Sequence, residues 1–188
     1  MKSIIGITGS IASGKTTVAN LMANKKYPLF SADKVVANLY KKNFFTDILI
    51  KKFKLDQNKN IKQQIKLILK KNIKNFKKLE TIVHPFVRNE MKIFLKKKNN
   101  FLFLEIPLLI ESKLTKYFNK IVFVDAKKKV RLRRYLKKSG TKKMIFDLLD
   151  NRQLTPAFKK KMSTYTINNN YSLAILKENV KNFRKSYE

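Results

Sequence analysis

Residues Gly9-Ser10-Ile11-Ala12-Ser13-Gly14-Lys15-Thr16 satisfy G-x-x-x-x-G-K-[ST] at every fixed position. Glycines at this spacing let consecutive backbone N–H groups curl around phosphate oxygens, and a helix that starts there adds its positive dipole end. Lys15 would reach the β and γ phosphates of ATP or GTP, and the Thr16 hydroxyl would ligate Mg²⁺. Ala12, Ser13 and Thr17 complete the stretch that would surround the phosphates. The plainer reading is a turn with a coincidental lysine. Against it, three of the four glycines in the chain, Gly6, Gly9 and Gly14, fall within its first 14 residues.

The chain holds only 12 Asp and Glu, so those placed at the ends of apolar runs are informative. Asp33 follows Tyr27-Pro-Leu-Phe-Ser-Ala32. There it could accept a proton from an attacking hydroxyl, or it could start the next helix as an N-cap. Glu105 closes Phe101-Leu-Phe-Leu-Glu105, where it could serve Mg²⁺ or its water shell, or cap the following turn. Glu111 closes the loop Ile106-Pro-Leu-Leu-Ile-Glu111, which is expected to line the site. His84 is the sole histidine and precedes Pro85. A structural hydrogen-bonding role suits it better than catalysis, since no Ser or Cys nucleophile can be assigned to it. Arg131, Arg133 and Arg134 cluster before Gly140, and Arg152 lies after the next helical stretch. They read either as a mobile lid that brings guanidinium groups onto phosphates or as a basic helix face.

Positioning these groups requires a sheet. Residues 2–8 read as a buried strand before the glycine loop, and a helical pattern follows from Thr17, with Val18, Leu21 and Met22 on one side. Tyr27–Ser31 reads as a second strand and Asp33–Tyr40 as a helix. Residues 43–98 are lysine-rich with helical period and read as an inserted helical lobe. Phe101–Glu105 and Lys120–Asp125 are further buried strands. Lys127–Lys138 and Lys142–Asn151 are helical, hinged near Ser139 and Gly140, so 127–153 reads as a lid region. Ser163–Asn168 is a last strand and Ser172–Phe183 a closing helix. Alternating strands and helices predict an α/β fold, a parallel sheet flanked by helices, with ligands bound past the strand carboxyl ends where Gly9, Ser31, Glu105 and Asp125 would gather.

Composition sets the class of the chain. Its 188 residues suit one domain carrying an inserted lobe, and 44% hydrophobic residues with 14 Phe and 7 Tyr are enough for a core. Zero cysteines exclude a disulfide scaffold, a thiolate metal site and a cysteine nucleophile. No apolar run reaches the roughly 20 residues of a membrane span. The amino-terminal run lacks the features of a signal peptide, so a cytoplasmic protein with no membrane partner is expected. The net charge of +32 invites a nucleic-acid reading, yet 38 of the 44 basic residues are Lys and six are Arg. Nucleic-acid surfaces favour Arg. Lys, Asn, Ile, Phe and Tyr share AT-rich codons, so the charge reads as genome composition, and the lysine triplets at 96, 127 and 159 read as surface runs. A positive field still attracts anionic ligands.

Taken together, the residues resemble those of the dephospho-coenzyme A kinase family. The resemblance rests on Ile7 to Thr17, Ser31-Ala-Asp33, Leu79 to Pro85 with Arg88, Pro107-Leu-Leu-Ile-Glu111, Arg134 leading to Gln153, and the register on to Tyr165, Ile167 and Asn169. It spans nearly the whole chain. It implies a P-loop NTPase fold, adenylate-kinase-like, with a helical coenzyme-binding lobe and a lid. It also implies transfer of the ATP γ-phosphoryl, with Mg²⁺, to the ribose 3′-hydroxyl of dephospho-coenzyme A, by a monomer or weak homo-oligomer. Asp33, Lys15 and Arg134 match catalytic positions. His84, Arg88, Pro107, Leu108 and Glu111, with Asp33, fall at positions expected to bind the acceptor. Three positions depart from the pattern: Ser31 stands where a first Asp is usual, Glu105 replaces an Asp, and Lys138 replaces a lid Arg. Lys138 keeps the charge but loses bidentate geometry, which shifts the lid role toward Arg134, Arg131 and Arg152. A kinase of another nucleoside or nucleotide acceptor, and a nucleic-acid-binding P-loop ATPase, are the rival readings.

Overall fold

The structure, a computed structural model, describes residues 2–72, 74–139 and 142–185. Among the described residues there are five strands, β1 (Ser3–Gly9), β2 (Leu29–Ser31), β3 (Phe101–Glu105), β4 (Lys120–Asp125) and β5 (Tyr165–Asn168). Nine α-helices accompany them among the described residues: α1 (Lys15–Ala23), α2 (Ala32–Leu39), α3 (Asn43–Phe53), α4 (Ile61–Lys71), α5 (Lys74–Leu95), α6 (Lys128–Ser139), α7 (Lys143–Asn151), α8 (Pro156–Lys161) and α9 (Leu173–Lys185). The chain divides into two compact units, one made of Met1–Ser31 with Lys97–Glu188 and the other of Ala32–Lys96.

The first unit is built on a fully parallel sheet of order β2-β3-β1-β4-β5. Its inner strands β3, β1 and β4 carry continuous buried runs, and in β1 every residue from Ile5 to Gly9 is buried, as expected when helices cover both faces. Ile5, Ile7, Phe103, Val122, Val124 and Ile167 pack with Val18, Ala19 and Met22 of α1 and Leu176, Val180 and Phe183 of α9. On β1, Gly6 marks a close approach instead: a Cβ there would lie 2.5 Å from Leu109 Cδ1 and 2.8 Å from Phe118 Cδ1. Because β1 is flanked by β3 on one side and β4 on the other, the strand order reverses beside it. Its carboxyl end therefore opens onto the crevice where such sheets bind ligands.

The second unit holds α2 to α5. Leu39, Phe45, Leu49, Ile65 and Val83 form its centre, and the Phe45 ring meets Phe86 edge-on with centroids 5.8 Å apart. Asn60 caps α4 by accepting the Gln63 N–H at 3.0 Å. The long α5 carries Pro85 inside it.

Several boundaries differ from the sequence expectation for physical reasons. The second strand begins at Leu29 rather than Tyr27 because Pro28 has no N–H to give; only its carbonyl joins the ladder, accepting Phe103 N–H at 3.1 Å. The first helix starts at Lys15, two residues before Thr17, since its opening turn is part of the glycine loop. Helix α8 was not expected, although Thr155 and Pro156 carry a start signal: the Thr155 hydroxyl accepts Phe158 N–H at 3.3 Å, and proline occupies the first helical position. The hinge expected at Ser139 and Gly140 falls on Gly140, outside the described residues, while Ser139 ends α6.

Candidate active site

The carboxyl ends of four of the five strands carry the four expected residues: Gly9 ends β1, Ser31 ends β2, Glu105 ends β3 and Asp125 ends β4. Ser31 is paired in register with Glu105, and Gly9 with Val124. Between β1 and α1 the chain makes its loop. Gly14 sits at φ +93°, a conformation that glycine adopts without strain, and Ala12 also has a positive φ of 57°. Gly9 is held by proximity: a Cβ on it would lie 2.6 Å from Ser13 Oγ and 2.7 Å from the Val124 carbonyl.

The carbonyl oxygens of this loop are taken up one after another. Lys15 Nζ donates to Ser10 O at 2.9 Å, and Ser13 N–H donates to the same oxygen at 3.1 Å. Arg131 Nη1 donates to Ile11 O at 3.3 Å, Asn169 Nδ2 to Ser13 O at 2.8 Å, and Val18 N–H to Gly14 O at 3.1 Å. The Ile11 N–H is also occupied, donating to Gln153 Oε1 at 3.0 Å. The N–H groups of Lys15, Thr16 and Thr17 precede the bond from Val18 to Gly14 and have no partner within α1. With the carbonyls of Ser10, Ile11, Ser13 and Gly14 tied, the loop presents amide hydrogens at a helix start, which is an anion cradle.

Lys15 is buried (9% exposed), and Thr16 beside it is exposed. The Thr16 hydroxyl donates to Glu105 Oε1 at 2.5 Å, from a carboxylate only 2% exposed. This joins a hydroxyl to a strand-end carboxylate at the cradle mouth, two hard oxygen donors of the kind Mg²⁺ takes. Among the described residues no three His, Cys, Asp or Glu side chains group to hold a metal by themselves. A cation here would therefore need phosphate oxygens and water to complete its shell.

The arginines of the expected lid segment make defined contacts. Arg131 is 2% exposed and its donors are engaged: Nε with Ala126 O at 3.0 Å, Nη1 with Asp150 Oδ1 at 2.6 Å as well as Ile11 O, and Nη2 with Asp150 Oδ2 at 3.4 Å. It braces the loop backbone and ties α6 to the end of α7, which the sequence could not show because Asp150 becomes its neighbour only after the chain folds back. Arg134 is half-buried and donates from Nη1 to Asn169 O at 2.9 Å and from Nη2 to Asn169 Oδ1 at 3.3 Å. Burial, then the neighbouring Arg133, pulls its guanidinium below the ordinary arginine value. Arg152 follows the last residue of α7 and is half-buried, and Lys138 is exposed near the end of α6.

After β3, the Pro107 carbonyl accepts the Thr8 hydroxyl at 3.0 Å. Pro107 and Leu108 are half-buried. Glu111 Oε1 accepts Leu154 N–H at 3.2 Å and pairs with Lys159 Nζ at 2.6 Å. Lys159 is 0% exposed, so the lysine triplet at 159 is not a surface run throughout; only Lys160 and Lys161 face water. In the first unit, then, Lys15, Thr16, Glu105, Arg131 and Arg134 bear on one loop. Gln153, Asp150 and Asn169 share that work and were missed as site residues; Gln and Asn carry no charge to flag them.

Asp33, His84 and Arg88 belong to the second unit. Asp33 is exposed in the first turn of α2, two residues past Ser31. Arg88 is exposed on α5, one turn from half-buried His84. Burial holds the His84 imidazole below its ordinary value of 6.5; Glu80 opposes the shift and Arg88 reinforces it.

A glycine-loop cradle on the central strand of a parallel sheet, with a lysine and a threonine–carboxylate pair at its mouth, defines a P-loop kinase fold. Among solved structures the Thermus thermophilus protein TT1252 superposes with a TM-score of 0.81 at 28% identity, covering 100% of this chain and 98% of that one. The sequence profile described as dephospho-CoA kinase matches residues 3–174. Dephospho-CoA kinases of Agrobacterium fabrum and Fusobacterium nucleatum are each 32% identical, over 187 and 185 residues, covering 96% of this chain and 96% of each relative. The chain belongs to the dephospho-CoA kinase family and is a kinase, hence a transferase.

Two outcomes follow from this geometry. An alanine at Gly14 would bring its Cβ against Asn169 Nδ2 and force a left-handed φ on a β-carbon. Gly14→Ala should weaken MgATP binding at least tenfold by calorimetry and destabilise the fold by about 1–3 kcal/mol; wild-type affinity would contradict the cradle. For His84, the unfolded chain takes up a proton near 6.5 and the folded chain does so only at lower pH. Stability is therefore lost as pH falls below that value. The melting temperature should drop between about pH 7 and about pH 5.5, and His84→Gln should flatten part of that drop. Parallel curves for the two proteins would contradict the assignment.

Proposed function

We propose that this protein transfers the γ-phosphoryl of ATP to the ribose 3′-hydroxyl of dephospho-coenzyme A, giving coenzyme A and ADP, the final step of coenzyme A biosynthesis. The observation that carries the reading is the family match over residues 3–174, a span that contains the phosphate loop, Asp33 and the segment from Pro107 to Glu111. The cradle supports it physically. Among the described residues no helix is long and apolar enough to cross a membrane.

The proposed chemistry is positional and electrostatic. The 3′-oxygen forms a bond to the γ-phosphorus while the bond to the β–γ bridging oxygen breaks and ADP leaves. Asp33 accepts the hydroxyl proton. Lys15 exchanges the Ser10 carbonyl for a phosphate oxygen, and Arg134 adds positive charge near the developing negative charge. Thr16 and Glu105 would hold Mg²⁺, which when bound neutralises phosphate charge. His84, Arg88, Pro107, Leu108 and Glu111 are proposed to bind the acceptor, and Arg152 to bind ATP.

An ADP-release assay across candidate acceptors at fixed salt tests the reading. ADP formation should require dephospho-coenzyme A, and Asp33→Asn should lower kcat by about 10²–10⁴ while both substrates still bind. ADP formed with other nucleosides but not with dephospho-coenzyme A would overturn the acceptor. Asp33→Asn retaining most of kcat would remove Asp33 from the proton transfer.

A further inference from the structure

Lys159 is an ammonium group enclosed by protein. It is 0% exposed on α8, 2.6 Å from Glu111 Oε1, yet its nitrogen makes no hydrogen bond among the described residues, and Glu111 Oε2 makes none either. Burying two charges so incompletely satisfied is a poor way to stabilise a core, because desolvation consumes most of what the pair gains. What the pair does achieve is geometric. The oxygen that Lys159 holds is the same one that accepts Leu154 N–H at 3.2 Å. The residue before Leu154 is Gln153, whose side-chain oxygen accepts the Ile11 N–H of the phosphate loop at 3.0 Å. One buried cation thus fixes a carboxylate, the carboxylate fixes a backbone amide, and the adjacent side chain fixes the loop.

We propose that Lys159 is a positioning residue for the phosphate loop, acting through Glu111 and Leu154 on Gln153 and so on Ile11. The proposal rests on the reading that this loop binds ATP. It separates two roles on α8: Lys160 and Lys161 are solvated, and Lys159 belongs to the nucleotide site at a remove of three residues.

A double-mutant cycle decides it. MgATP dissociation constants are measured by calorimetry for the wild type, Lys159→Met, Gln153→Leu and the double variant, with melting temperatures alongside. Each single change should weaken MgATP about tenfold, and the double should stay near tenfold instead of reaching about a hundredfold, since both break one path. Lys159→Arg should restore most of the affinity. If Lys159→Met does not fold, Lys159→Gln, which keeps a donor, enters the same cycle. A lowered melting temperature with unchanged MgATP affinity, or losses that multiply, would make Lys159 a packing residue only and overturn the proposal. A wild-type chain that binds no MgATP overturns the functional reading itself, and this proposal with it.

Discussion

A backbone that receives phosphate oxygens must keep its amide hydrogens turned toward the ligand while its carbonyl oxygens are satisfied elsewhere. Everything around the loop from Gly9 to Thr16 serves that constraint. The carbonyls of Ser10, Ile11, Ser13 and Gly14 are taken by Lys15, Arg131, Asn169 and Val18. Three of these four donors are side chains, and two of them come from segments more than a hundred residues further along the chain. The loop has few glycines because only Gly9 and Gly14 meet the steric demands; Val124 and Asn169 are the neighbours that impose them. An ammonium or guanidinium on a carbonyl also raises the local positive potential, so the same contacts that hold the loop favour an anion in it.

Much of this could be read from the sequence, and what could not has a common cause. The loop motif, the parallel sheet and the strand-end residues Gly9, Ser31, Glu105 and Asp125 depend on local pattern and on the rule that parallel sheets bind ligands at one edge. The register of Ser31 with Glu105 and the bond from Thr16 to Glu105 follow from that arrangement. The braces do not. The sequence groups Arg131 with Arg133 and Arg134, as a lid or as a basic helix face, and cannot show its brace because its partner Asp150 is 19 residues away and becomes adjacent only when α7 packs on α6. Lys159 reads as surface because it opens a run of three lysines; a run of like residues conceals which one turns inward. Helix α8, which turns it, is only six residues long and too short for a period to register.

The charge of +32 has little part in this account. The cations that matter are few and held in place: Lys15, Arg131, Arg134 and Lys159 each sit against a carbonyl or a carboxylate. The acidic residues follow the same economy, with Glu105 on Thr16, Glu111 on Lys159 and Asp150 on Arg131. The Glu105 side chain puts an oxygen in reach of the Thr16 hydroxyl. The charges that bear on the loop are thus individually placed, whatever the number of lysines on the surface.

The central claim is that the phosphate loop is set by its protein braces before nucleotide arrives. Residue-resolved amide hydrogen exchange on the nucleotide-free protein measures this at the Ile11 N–H, which is bonded to Gln153 Oε1. The account predicts that this amide is already strongly protected without ATP and gains little when MgATP is added. Exchange at the rate of an unstructured chain, with protection acquired only on MgATP binding, would show that the ligand builds the loop and would contradict the account.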